Sequence, residues 1–216
     1  MTFPRSRISV VVLAFLVSLP LAAEDGWVLQ GSFGAVESLE TRLTIRQSGF
    51  PDIKTDADYE TRPAESPPYY MLRAGRWQGG AGWELEMIHH KLFLQNPPPE
   101  VQRFHISHGY NIVALNRAWE VRRLILRAGA GVVVAHPEST VRGRNEDPSD
   151  ANLSGGYHLT GPALQIAAEK RFALGEHCFL GLEAKVTTAR ATVPVAGGDA
   201  DVPNTAFHGL VGLGYR

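Results

Sequence analysis

Hydrophobic and polar residues alternate along most of this chain with the period of two that a β-strand imposes. From 26 to 36, Trp27, Leu29, Phe33 and Ala35 oppose Val28, Gln30, Ser32 and Gly34. Across 68–77, Tyr70, Leu72 and Ala74 oppose Tyr69, Met71, Arg73 and Gly75. In 82–94, Trp83, Leu85 and Met87 oppose Glu84, Glu86 and Ile88. In 103–117 the apolar set is Phe104, Ile106, Tyr110, Ile112 and Ala114, interrupted by His108. Its other face carries His105, Ser107, Gly109, Asn111 and Val113. The same alternation returns in 122–135, 157–170, 178–190 and 205–215. That predicts eight strands, most of them ~10 residues or longer, as a tilted membrane-spanning strand requires.

The connections alternate in length. Gln78–Ala81, Arg117–Arg122 and Arg171–His177 are short, while 37–67, 95–102, 136–156 and 191–204 are long and rich in Pro, Gly, Asp and Asn. Short turns on one side and long loops on the other predict an all-β fold, an eight-stranded antiparallel up-and-down transmembrane β-barrel. The faces agree with it. One is Leu, Val, Ala, Ile and aromatics, and the other holds Glu84, Glu86, Arg127, Glu169, Glu183, Lys185 and His208. A water-soluble lipocalin-like barrel would turn its oily face inward and strand these charges in a dry core. Trp27, Trp77, Trp83, Trp119, Tyr110 and Tyr215 lie near strand ends, where aromatic girdles belong. Pro162 falls inside the sixth strand and calls for a bulge there or a place above the ladder. "TRLTIRQ" in the first long loop alternates too and predicts a hairpin extension above the membrane.

The N-terminus adds a compartment. Arg5 and Arg7 precede the apolar run Ile8 to Leu19 and the small pair Ala22–Ala23, so 1–23 reads as a secretory signal peptide and 24–216 as the barrel. A net charge of -1 gives no footprint for nucleic acid. Cys178 is the single cysteine, so no internal disulfide forms. Eight strands enclose no water channel, which argues against solute transport. The expected partners are outer-membrane lipids, and the expected state is a monomer.

Candidate chemistry centres on histidine. Read on the lipid face near the outer leaflet, His89 and His108 become cross-strand neighbours when the hairpin folds about Pro97–Pro98. Ionisable groups in such a place are functional candidates. Two plainer placements stay open: a bulge that turns part of the strand inward, or interfacial water above the bilayer. His105 and Ser107 form a His-x-Ser pair suited to nucleophile and base, but on the face read as interior.

Six stretches, in order, resemble the lipid A oxidase-like outer-membrane β-barrels of alpha-proteobacterial type. They are "PPYYMLRAG" (67–75), "WELEMIHHK" (83–91), "SHGYNIVALNRAW" (107–119), "GAGVVVAHPE" (129–138), "YHLTGPALQ" (157–165) and "FHGLVGLGYR" (207–216). The resemblance implies oxidation of the proximal glucosamine of lipid A to an aminogluconate unit, with molecular oxygen as co-substrate and a divalent metal. His89 and His108, with a carboxylate such as Glu86, have the donor types for that metal, and His208 matches the last-strand motif. Glu86 and His89 nevertheless fall on opposite faces of their strand. The competing readings are a non-catalytic structural or surface-binding barrel and a lipid A acyl hydrolase built on His105 and Ser107.

Overall fold

The computed structural model describes residues 25–146 and 153–216, so the expected signal peptide lies outside the described residues. In chain order the strands are β1 (Gly26–Ser38), β2 (Thr41–Gln47), β3 (Ile53–Ala57), β4 (Tyr59–Glu60), β5 (Tyr70–Gln78), β6 (Ala81–His89), β7 (Leu92–Leu94) and β8 (Val101–Ile106). They continue as β9 (Tyr110–Val121), β10 (Leu124–Ala135), β11 (Glu138–Val141), β12 (Arg144–Asn145), β13 (His158–Ala173), β14 (Cys178–Val195) and β15 (Gly198–Tyr215). Eight of them, β1-β5-β6-β9-β10-β13-β14-β15, are hydrogen-bonded in that order, and β1 pairs back onto β15 to close the ring. Every neighbouring pair is antiparallel. The expected eight-stranded barrel is therefore the fold.

Its lower half is inside out relative to a soluble protein. Leu29, Phe33, Leu72, Leu85, Leu115, Leu164, Ile166, Phe207 and Leu213 stand exposed around the wall. The bore between the strands holds Arg73, Arg127, Arg171 and Lys185 against Glu84, Glu86, Glu169 and Glu183, all buried. Arg73 Nε lies 2.8 Å from Glu86 Oε2, and Arg73 Nη2 lies 2.8 Å from Glu183 Oε2. Arg127 Nε reaches Glu84 Oε2 at 2.6 Å, its Nη2 reaches Glu169 Oε2 at 2.8 Å, and Lys185 donates to Glu86. Gln30, Asn116 and Gln165 add further hydrogen bonds to the network. Four bases and four carboxylates balance one another, so each buried charge in the bore has an opposite charge beside it. Gly181 makes room for the network, since a Cβ there would meet Glu169 Oε1 at 2.2 Å. Below it, Trp77 and Phe179 form an apolar floor, with the Arg171 guanidinium 4.2 Å from the Phe179 ring centroid.

The upper half reverses the rule. β2 and β3 extend the wall from β15, and a second sheet, β12-β11-β8-β7-β4, covers the mouth. With the upper ends of β14 and β15 they bury Leu43, Ile45, Tyr59, Leu92, Phe104, Ile106, Val141, Val193 and Val202 together, as a water-soluble domain would. The hairpin expected from "TRLTIRQ" is present as β2 with β3.

Several expectations change. Segment 103–117 is two strands, broken at Ser107–Gly109, and its lower part, β9, points Tyr110, Ile112, Ala114 and Asn116 inward. The reading of its apolar face as lipid-facing was inverted because the upper interior is itself apolar. Tyr110 and Trp77 therefore leave the expected girdle for the interior, while Trp27, Trp83, Trp119 and Tyr215 remain exposed on the outside. The second short turn is Arg122–Arg123 rather than Arg117–Arg122, with both arginines at positive φ. Residues 191–204 are not a loop: β14 and β15 run on as a hairpin to a turn at 196–197. The bulge expected near Pro162 is present, as a register shift between Val133 and Val134 opposite Leu159–Gly161.

Candidate functional site

The break at Ser107–Gly109 creates a place where several reactive side chains meet on the outer surface of the wall. Gly109 turns the chain at φ 126°, and a Cβ there would lie 2.3 Å from the Asn111 amide nitrogen. That turn lets β8 leave the barrel for the upper sheet while β9 enters it. Tyr110 N donates to His90 O at 2.6 Å and His136 N donates to Gly109 O at 3.1 Å, fixing the break between β6 and the end of β10. Pro137 follows His136 and interrupts the strand, so Glu138 begins β11 beside β8, opposite His105.

His108, His136 and Glu138 thereby converge. One ligand atom from each lies within 4.8 Å of the other two. His108 Nδ1 is 2.9 Å from Glu138 Oε1, and the His108 and His136 ring centroids are 4.8 Å apart. His136 Nδ1 is buried without a hydrogen-bond partner. Tyr157 packs edge-on against His136 and donates from its hydroxyl to His108 O at 3.1 Å. Glu138 is also held by Ser107 and by Arg103. Burial raises its pKa, but the hydrogen bonds from Ser107 and His108 and the charge of Arg103 outweigh burial and keep it below the usual carboxylate range. Two imidazoles, one ionised carboxylate and exposed space beside them fit a divalent first-row metal with open positions.

The expected site residues divide. His89 ends β6 close by, its ring stacked on Tyr70 at 5.1 Å and its Nδ1 2.8 Å from Asn111 Oδ1, with Nε2 unpartnered. His108 is on the outside, as expected, though it owes that to the chain break and not to the phase of a strand. Glu86 is elsewhere: the bore arginine and lysine hold it, and it offers nothing to either imidazole. His208 is inside the barrel between the Tyr69 hydroxyl (3.0 Å) and Thr187 Oγ1 (2.9 Å), its ring 5.9 Å from His90. A metal set of His89, His108 and His208 therefore does not assemble, because the wall separates the last from the others.

Ser107 and His105 do not pair either. Ser107 turns to Glu138 and to His108 Nδ1 (3.1 Å), while His105 packs against the Phe93 ring and faces Arg103 Nε at 3.4 Å. Burial and the Arg103 charge lower the His105 pKa. Hydrolase geometry would present opposite nitrogens of one imidazole to serine and carboxylate; here Nδ1 faces both.

Sequence reasoning missed His136 and Glu138, which it placed in a loop. The signal was "AHPE", a proline that ends one strand between two ligand-type residues.

A closed antiparallel barrel with an oily belt, a charged bore and an outward cluster above the belt defines a transmembrane β-barrel of the outer-membrane type. In fold the chain is similar to the outer membrane protein AlkL, at 15% identity and TM-score 0.47, covering 94% of this chain and 96% of that one. It is also similar to OprG of Pseudomonas aeruginosa, at 12% identity and TM-score 0.47, over 88% and 95% of the two chains. Neisserial surface protein A shares 10% identity at TM-score 0.43, over 89% and 97%. No protein-family model and no curated protein matches the chain.

Proposed function

We propose that this outer-membrane barrel is a lipid A-modifying enzyme of the oxidase type, acting on the proximal glucosamine from the outer face of its wall. One observation supports the reading: His108, His136 and Glu138 converge in the upper half of the barrel, within 4.8 Å of one another, with His108 exposed on the outside. The set replaces the His89–His108–Glu86 grouping read from the strand positions but keeps its donor chemistry. A divalent metal held by these three side chains would supply redox and Lewis-acid chemistry beside the sugar.

The chain's own residues supply the rest. Arg103 and Ser107 hold Glu138 in its ionised form and in place. Tyr157 fixes the backbone at His108, and Asn111 with Tyr70 fixes His89. Oxidising the anomeric hemiacetal to the lactone removes two electrons and two protons, which dioxygen accepts to give hydrogen peroxide, and water then opens the lactone to the aminogluconate, for a net gain of one oxygen.

The test is the mass of lipid A from cells with and without the protein. An oxidase adds one oxygen, an acyl hydrolase removes a chain, and a structural barrel leaves the mass unchanged. His108→Ala and His136→Ala should each abolish the added oxygen, as should a chelator, with heat-modifiable barrel migration intact. Full oxidation by both variants would remove the site.

A further inference from the structure

Away from that cluster, the lower rim carries a row of alternating rings and guanidinium groups. Trp27 lies opposite Arg76, Arg76 opposite Trp83, and Trp83 opposite Arg117, across β1, β5, β6 and β9. The Arg76 guanidinium is 5.8 Å from the Trp27 ring centroid, and that of Arg117 is 5.4 Å from Trp83 and 5.8 Å from Trp119. Trp27 and Trp83 are more than half exposed, so the row faces outward at the edge of the belt. Among the described residues neither arginine has a carboxylate within ion-pair distance. An open cleft of about 630 Å³ lies along the row, lined by Arg76, Gln78, Trp83, Arg117 and Asp25. The Asp25 carboxylate is already engaged by Gly79 N at 2.6 Å.

Among the described residues this alternation of ring and guanidinium runs across β1, β5, β6 and β9; near the short-turn ends of the other strands stand Leu124, Leu180 and Tyr215, and Lys170 is turned to Arg123 O. A uniform girdle would anchor the barrel equally all round; a local pair of guanidiniums with no ion-pair partner, on ring platforms, is a recognition surface.

We infer that this rim is a binding site for an anionic glycerophospholipid of the inner leaflet. Its phosphate sits between Arg76 and Arg117, and its glycerol and upper acyl carbons lie on Trp83. Charge complementarity selects the occupant, because two unpaired guanidiniums at the hydrocarbon edge match a phosphate diester with a net negative headgroup. The inference is independent of the chemistry proposed for the upper face.

The full-length protein, extracted in detergent and titrated with phosphatidylglycerol or phosphatidylcholine, would be followed by native mass spectrometry of lipid adducts. The expected result is about a tenfold preference for phosphatidylglycerol, lost in R76Q/R117Q and kept in R122Q/R123Q at the same end of the barrel. Each single variant, R76Q and R117Q, should lose part of it, which carries the test if the double variant fails to insert. Equal binding of the two lipids by the wild type would overturn the site. So would an equal loss in R122Q/R123Q, since diffuse charge would then suffice.

Discussion

The two halves of this barrel obey opposite rules of burial although several strands run through both. On β15, His208 and Gly212 face the bore while Phe207, Val211 and Leu213 meet lipid. A few residues earlier on the same strand, Ala200 and Val202 are fully buried and Asp201 is paired with Arg190 on the outside. Nothing in the backbone changes between them. The solvent does: acyl chains surround the lower half and water the upper. Each half buries whatever its surroundings reject.

The comparison breaks hardest in the bore. Arg127→Ala takes a close base from Glu84, Glu169 and Glu183 at once and leaves three buried carboxylates to lean on Arg73 and Arg171, at a cost of about 3–5 kcal/mol. Its heat-resistant electrophoretic migration should collapse at a lower temperature than wild type.

A smaller effect separates the two outer surfaces. Leu115→Arg, on the belt, should cost roughly 2–4 kcal/mol in urea unfolding from lipid vesicles, and Leu39→Arg, above it, no more than about 1 kcal/mol. Equal penalties would place the belt wrongly.

The upper half should also show an acid sensitivity of its own. A hydrogen bond from Arg190 holds the Asp201 carboxyl below its ordinary value, with the Arg190 and Arg46 charges adding to it against burial. A depressed folded pKa contributes stability that is present above the unfolded value, near ~3.9, and fades as pH falls through the folded one. Amide exchange in the β14–β15 hairpin should therefore quicken below about pH 4 relative to Asp201→Asn, with the belt unaffected. The smallest change is a gain. Arg122→Asn with Arg123→Gly relieves two left-handed non-glycine residues in a two-residue turn, raising stability by about 1–2 kcal/mol in the same urea assay.

What could be read from the sequence follows the same division. In the belt, water and lipid impose one consistent alternation, so the inward places of Glu84, Glu86, Arg127, Glu169, Glu183 and Lys185 were legible from period alone. Segment 103–117 was not, because it crosses the boundary where the rule inverts and holds a break that only Gly109 marks. The candidate site sits at that boundary. His108 was found for its polarity among apolar residues, whereas His136 and Glu138 join it through pairing of β11 with β8, a contact between distant segments that periodicity does not encode.

The seam between β1 and β15 has a consequence for biogenesis. The two barrel strands farthest apart in the chain are the ones that must meet, so the circle stays open until β15 is in place. Until then each partly assembled sheet exposes two raw edges to any neighbouring chain. Insertion machinery for this protein therefore has to chaperone an unfinished rim, and truncating the final strand should strand the whole molecule before the bilayer.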